Sequence, residues 1–300
     1  MSNGDDALAP RLDALRLPAT AGRRTEWHRF LANRRAAVGA VLLVALALAS
    51  LLASVLAPHH PDQQRLARAL ERPSLEHPMG TDNFGRDVLS RTLWGGRVSQ
   101  LIGVLSMGVS IVVGLLVGGV AGYAGGRIDG ALMRLTEAVI TFPTFFLLIT
   151  LVAVFGTSIP LLILTIGLTS WPITARVVRA EVLSLREREF VQAASALGAG
   201  ALRVMARHLL PNVVSVIIVA ATLRVAYVIL VEAGLSYLGV GVPPPTASWG
   251  SMVADGKDYL LRAWWVSFFP GLFIFLTVMA YNLVGDGLRD AFDPRAVVPR

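Results

Sequence analysis

The residues most suggestive of chemistry lie in a short polar stretch in which aspartates and arginines alternate. Asp82 and Asp87 could bind a cation or serve as a catalytic acid and base, and Arg86 and Arg91 each follow an aspartate by four positions. We find no histidine or third carboxylate at ligand spacing beside the aspartates, and the arginines would repel a cation. The pattern therefore indicates an ordered, ion-paired turn that leads into a helix.

Two further charged residues, Arg224 and Glu232, lie within an apolar run that is long enough to cross a membrane. A charge at that depth is costly, so each side chain must face protein or water. Eight positions separate them, which is roughly 12 Å along a helix, so they are not expected to pair with each other. Two alternatives stay open for each residue: it lines a translocation pathway, or it forms an ion pair with another helix or a partner subunit.

Enzymatic chemistry has little support elsewhere in the sequence. The stretch Gly256-Lys257-Asp258 lacks the upstream glycine and the hydroxyl residue of a phosphate-binding loop, so the chain should not hydrolyse ATP itself. The absence of cysteine excludes a thiolate metal site and a cysteine nucleophile. No paired Ser/Lys, His/Glu or two-carboxylate set occurs at helical spacing in the apolar runs, which argues against an intramembrane enzyme. We expect no catalytic residue and no cofactor or metal bound by this chain.

The elements that must position these residues are apolar helices. Hydrophobic residues make up 54% of the 300 positions and charged residues only 16%, against about 25% in a typical soluble domain. The net charge of +7 could suggest nucleic acid as a partner. However, the arginines cluster at the ends of apolar runs, which is typical of a membrane protein with positively charged inner loops. We expect no nucleic-acid binding.

The apolar runs predict an all-α membrane protein with six transmembrane helices. The run from Ala138 to Ala175 would be about 57 Å long as one helix, nearly twice the hydrocarbon thickness, so it must fold back at residues 155–160. The predicted spans are 36–57, 98–122, two within 138–175, about 213–238, and 263–285.

Glycines at a four-residue interval mark one of these spans. Gly114, Gly118 and Gly122 would present a strip of small residues on one helix face. Such a strip lets a neighbouring helix approach closely, so we expect this span to lie inside the helix bundle.

Six crossings place both termini on the same side of the membrane. That side carries most of the lysine and arginine, so it is predicted to be cytoplasmic. Residues 1–35 then form a cytoplasmic tail, residues 58–97 an extracytoplasmic connection, and residues 288–300 a second cytoplasmic tail.

Between two of the predicted spans lies a hairpin of short helices, Glu189 to Pro211, called here the 189–211 segment. Phe190, Ala193, Ala194 and Leu197 share one helix face, and Gly198 can end that helix with a left-handed cap. In the second helix, arginines at positions 203 and 207 form a basic stripe, and the proline at 211 is expected to limit where the helix continues. Either half is too short to cross a bilayer, so the segment should lie outside it and contact another protein or its own domain.

The motif Gln192-Ala193-Ala194, then Gly198, then His208-Leu209-Leu210-Pro211 resembles the EAA loop of permease subunits of bacterial ABC importers. In that family the loop supplies a coupling helix that docks into a cleft of the ATP-binding subunit. Gln192 stands where the family has Glu, which removes the charge of a salt bridge but keeps the capacity for hydrogen bonds, and His208 stands where the family has Ile. The coupling residues that the resemblance implies are Glu189, Gln192, Ala193, Ala194, Gly198, Arg203, Arg207, His208 and Pro211.

The polar stretch from His77 to Arg91 resembles the GTDxxGRDxxSR sequence of the dipeptide and oligopeptide permease branch, and residues 232–250 and 282–295 resemble the same branch. The resemblance implies a type I importer permease with its core at residues 98–287. It further implies a second homologous permease, two ATP-binding subunits or domains that carry ATP and Mg²⁺, and an extracytoplasmic solute-binding protein. Nickel and glutathione are alternative cargoes in this branch. A secondary transporter driven by an ion gradient, with Arg224 or Glu232 as the coupling group, is the rival from another class.

Overall fold

Long apolar helices dominate the part of the chain that this computed structural model describes, residues 28–292. The two predicted tails lie mostly outside the described residues. Five helices are long and apolar enough to cross a membrane, and a bent pair, α4 and α5, makes a sixth candidate. The helices are α1 (Arg34–Leu51), α2 (Ala53–Leu56), α3 (Val88–Ala124), α4 (Gly126–Thr141), α5 (Thr144–Phe155), α6 (Ile159–Arg186), α7 (Glu189–Ala196), α8 (Ala201–Tyr237), α9 (Trp249–Gly256) and α10 (Trp265–Phe292).

The predicted fold-back of the 138–175 run is confirmed. Gly156, at φ +86°, ends α5, and the Ser158 hydroxyl accepts a hydrogen bond from the Leu161 N–H at the start of α6. The chain segment that leads into this fold-back is bent, because α4 and α5 meet at an angle of 82°. Phe142 is extended at this break, the conformation that the following Pro143 favours.

The glycine strip on α3 packs against α6, which confirms its predicted place inside the bundle. A Cβ atom built on Gly118 would lie 2.3 Å from the Ala175 carbonyl oxygen, and one on Gly114 would lie 2.6 Å from the Thr174 Cβ. Neither position can carry a larger side chain without moving the neighbouring helix. In lipid the hydrophobic effect does not drive helices together, so close van der Waals packing of this kind contributes to their association instead.

The ion-paired turn before α3 is also confirmed. The Asp82 carboxylate lies 2.6 Å from Arg86 Nε and 3.6 Å from Arg91 Nε, and all three side chains are buried. Asp87 caps α3 by accepting a hydrogen bond of 2.7 Å from the Ser90 N–H. Helix α3 consequently begins at Val88, ten residues before the predicted span.

The fold adds a contact to this turn that sequence spacing did not indicate. No histidine stands at ligand spacing from the aspartates along the chain, but His77 Nδ1 lies 2.8 Å from Asp87 Oδ1, and His59 Nδ1 lies 3.9 Å from the same oxygen. The fold brings the two imidazoles together across a loop, with ring centroids 4.6 Å apart. Spacing along the chain does not reveal such a contact, since it depends on the folding of residues 58–87, the part of the predicted connection that precedes α3, called here the 58–87 connection.

Candidate functional site

The first half of the 189–211 segment is helix α7, and it ends at the left-handed glycine that the sequence predicted as its cap. Gly198 has φ +84°, and its N–H donates to the Ser195 carbonyl. The Ala199 N–H donates to the Ala194 carbonyl at 3.1 Å. Together these two bonds form a Schellman cap, in which a left-handed glycine satisfies the last carbonyls of a helix. The turn that follows α7 is therefore well defined.

One face of this turn points away from the rest of the chain. Leu197 is 89% exposed and Leu202 is 83% exposed, and Phe190 is exposed as well. Ala193 is exposed and Ala194 is half-buried beside them. Because these side chains are small, a partner surface could approach the helix backbone closely on this face. Nothing lies within 4 Å of a Cβ atom built on Gly198. The segment thus presents an apolar, unobstructed surface, which is a feature of interaction sites.

The opposite face of the segment is anchored on the membrane helices. Val191, Val204 and Leu209 are buried. They belong to one hydrophobic cluster with residues of α6 and α8, namely Val178, Val182, Val213 and Ile217. Because side chains in such a cluster are close-packed, a displacement of the segment must also move the helices on either side of it.

The second half of the segment differs from the prediction. The proline at 211 does not limit the helix, because α8 runs continuously from Ala201 to Tyr237. A π-helical turn at Met205–Leu209 widens the helix just before the proline, and the Leu210 N–H donates to the Met205 carbonyl five residues back. The Asn212 side-chain amide donates to the His208 carbonyl at 2.6 Å. The wider turn thus accommodates the missing N–H of Pro211, and the segment continues directly into a membrane span.

The polar residues assigned to the segment lie on its surface. Glu189, Arg203 and Arg207 are exposed, and none of them forms an ion pair within the described residues. Gln192 donates a hydrogen bond of 3.3 Å to the Glu187 carbonyl. The His208 ring is half-buried, with its centroid 6.4 Å from that of Phe190. The exposed charges of Glu189, Arg203 and Arg207 are therefore available for contact with a partner.

Glu232, by contrast, is buried in the interior of the bundle. Its carboxylate accepts hydrogen bonds from the hydroxyls of Ser236 at 2.8 Å and Ser99 at 3.1 Å. Ser99 also accepts a bond from the Trp249 N–H, so the carboxylate joins α3, α8 and the start of α9. Within residues 28–292 the groups that contact the Glu232 carboxylate are hydroxyl donors, and no basic side chain of this part of the chain pairs with it. Ser236 follows it by four positions and could have been noticed in the sequence, whereas Ser99 could not.

Arg224 lies at mid-height on the same helix and is half-buried. Its guanidinium carbon lies 4.8 Å from the centroid of the Tyr227 ring, and its Nε has no hydrogen-bond partner among the described residues. An ion pair for Arg224 is likewise not seen within residues 28–292. The structure does not bring Arg224 and Glu232 together, in agreement with their spacing.

The chain is similar to known permease proteins along most of its length. Residues 110–298 match the model of a family described as the inner membrane component of binding-protein-dependent transport systems, and residues 23–73 match the N-terminal transmembrane domain of oligopeptide transport permease C. A putative peptide permease protein of Brucella suis is 44% identical over 283 residues, covering 93% of this chain and 94% of its own length. The dipeptide transport system permease protein DppC of Bacillus subtilis is 39% identical and covers 94% and 89%.

A solved structure supports the same fold. The MetNI methionine ABC transporter, in inward-facing conformations, matches 70% of this chain and 97% of its own chain with a TM-score of 0.55 at 18% identity. The helical architecture and these matches define a multi-pass membrane permease of the ABC importer class. Within that class, the chain belongs to the family of binding-protein-dependent inner membrane components, and it is a permease of the oligopeptide C type.

Proposed function

We propose that this chain is one of two permease subunits of an ATP-driven importer of dipeptides or oligopeptides. The observation that carries the proposal is the 189–211 segment, which is exposed and apolar on one face and packed into the membrane helices on the other. A peptide cargo is supported by the names of the relatives, a putative peptide permease and a dipeptide permease.

In this proposal the 189–211 segment docks into an ATP-binding subunit. Leu197 and Leu202 would be buried there, and the exposed Arg203 and Arg207 would contact acidic or polar groups at the rim of the cleft. ATP and Mg²⁺ would be bound by the partner subunits, consistent with the absence of a phosphate-binding loop motif in this chain. Closure of those subunits would push on α7, and the buried Val191 and Val204 would pass the displacement to α6 and α8.

The proposal also sets the orientation in the inner membrane. The 189–211 segment and both termini would be cytoplasmic, and the connection from 58 to 87 would face an extracytoplasmic solute-binding protein. Burial of Glu232 among hydroxyls favours a structural role over lining of the pathway, whereas the unpartnered Nε of Arg224 keeps that residue as a pathway candidate.

The test is a reconstituted transporter with its second permease and ATP-binding subunits in nanodiscs. Peptide and solute-binding protein should stimulate ATP hydrolysis, and Gly198→Val should abolish the stimulation while the complex still inserts in the membrane. The valine would have room, but a β-branched residue at φ +84° is strained and would disturb the cap of α7.

Gly108→Val is the matched control, because a Cβ atom at Gly108 also meets nothing within 4 Å and its φ is not positive. Uptake that depends on an ion gradient and proceeds without ATP-binding subunits would contradict the proposal. Stimulation by nickel or glutathione, and not by peptides, would contradict the peptide cargo alone.

A further inference from the structure

A group of three metal-ligating side chains lies in the 58–87 connection, away from the 189–211 segment. His59 follows α2, and Glu76 and His77 belong to the turn before α3. Each offers one ligand atom, and these atoms all lie within 4.8 Å of one another. His77 is buried, His59 is half-buried and Glu76 is exposed, so the group opens to solvent on the carboxylate side.

The imidazole of His77 is held in an orientation suited to a metal. Its Nδ1 lies 2.8 Å from the buried Asp87 carboxylate, which leaves Nε2 directed away from Asp87. Histidines that bind metals are commonly oriented in this way by a carboxylate on the other ring nitrogen. His59 adds an unsatisfied group, because its Nδ1 is buried and has no hydrogen-bond partner among the described residues.

A positive group already lies between two of these ligands, Glu76 and His77. Arg68 Nη1 is 2.5 Å from Glu76 Oε1 and 3.2 Å from His77 Nε2, while Arg65 Nη1 is a more distant 3.9 Å from Glu76 Oε1. The Arg68 side chain is about one-third exposed, and its Nε also lies 3.9 Å from Glu71. It can therefore move away from the cluster and keep a carboxylate neighbour.

We propose that His59, Glu76 and His77 bind a divalent transition metal of the zinc type, which displaces the Arg68 guanidinium. Two imidazole nitrogens and one carboxylate oxygen form a common zinc ligand set, and a water molecule would complete the tetrahedron. The metal brings a charge of +2 beside the carboxylates of Glu76 and Asp87, where the Arg68 guanidinium that it displaces supplies +1.

The required movement is small. Zinc holds its nitrogen and oxygen ligands at about 2.0–2.2 Å, which places tetrahedral ligands roughly 3.5 Å from one another. A separation of 4.8 Å, the upper limit in this cluster, must therefore shrink by about 1.3 Å. Glu76 is half exposed and can supply most of that movement. The bound metal would tie the chain after α2 to the turn that begins α3.

The experiment uses the full-length chain, purified in detergent with a tag that contains no histidine. Zn²⁺ is added and removed by dialysis, and the bound metal is measured by mass spectrometry beside the thermal unfolding temperature. We expect about one equivalent of Zn²⁺ and a higher unfolding temperature, with no effect of Mg²⁺. His59→Gln and Glu76→Gln should each weaken Zn²⁺ binding at least tenfold, and His60→Gln, a neighbouring histidine outside the cluster, should not.

Arg68→Gln separates the metal site from a simple ion-pair network. If the arginine competes with the metal, its removal should tighten Zn²⁺ binding. The proposal is overturned if Arg68→Gln leaves Zn²⁺ binding unchanged or weaker, or if Zn²⁺ binds equally well without His59 and Glu76. Because His59 and Glu76 are not fully buried, their variants should fold even if a His77 variant does not.

Discussion

Shortening the two exposed leucines of the 189–211 segment should weaken the binding of an ATP-binding subunit without destabilising the permease. Leu197 is 89% exposed and Leu202 is 83% exposed, so neither side chain contributes much to the stability of the chain itself. Both would become buried if the segment docks as proposed. The substitutions Leu197→Ala and Leu202→Ala therefore act on the interface.

The magnitude follows from the area that each leucine would bury. Complete burial of a leucine side chain stabilises by about 1.5–3 kcal/mol, and alanine keeps only a small part of that. Each substitution should thus cost about 1–2 kcal/mol of binding free energy, which corresponds to roughly a 5–30-fold increase in Kd. The double variant should lose more than either single variant.

The assay is a titration of the ATP-binding subunit onto the permease pair in nanodiscs, read by biolayer interferometry. Leu261→Ala is the matched control, because Leu261 is fully exposed in the loop between α9 and α10, on the other side of the membrane in the proposed topology. An unchanged Kd for both leucine variants, or an equal loss in Leu261→Ala, would refute the docking surface.

Three further predictions concern stability, each measured as the thermal unfolding temperature in detergent. Gly118→Ala should destabilise the chain by about 1–3 kcal/mol because the new methyl group overlaps the Ala175 carbonyl, whereas Gly108→Ala should be neutral or stabilising. Glu232→Ala should cost about 1–3 kcal/mol, since buried hydroxyls lose their acceptor, and Glu232→Gln should cost less; equal losses would contradict the hydrogen-bonding role. Asp82→Ala should cost about 3 kcal/mol or more, because two buried arginines lose a carboxylate.

Much of the fold could be predicted because membrane insertion depends on local properties of the sequence. A run of about 20 apolar residues is long enough to cross the bilayer in any tertiary context, so the long apolar helices and the fold-back at 156–158 were predictable. The cap at Gly198 was predictable for a similar reason, because a left-handed glycine and two nearby carbonyls lie within six positions of one another.

The effect of a proline on its helix was harder to predict from the local sequence. Pro143 breaks the helix and gives the 82° bend between α4 and α5, whereas Pro211 is accommodated within a continuous helix by a π turn. Both residues lack the same N–H. The outcome at each proline depends on whether neighbouring groups and tertiary packing support a widened turn. The local sequence around a proline does not indicate whether they do.

By itself, the sequence determined the membrane class, the approximate spans, the position of the 189–211 segment and its resemblance to a coupling loop. Only the tertiary structure decided which face of that segment is exposed, how Glu232 is satisfied by Ser99, and that His59, Glu76 and His77 meet beside Asp87. The physical reason is that spans and caps depend on neighbours within a few positions. The hydrogen bond from Ser99 to Glu232 joins residues 133 positions apart and that between His77 and Asp87 joins residues 10 positions apart, and only a folded chain brings such residues together.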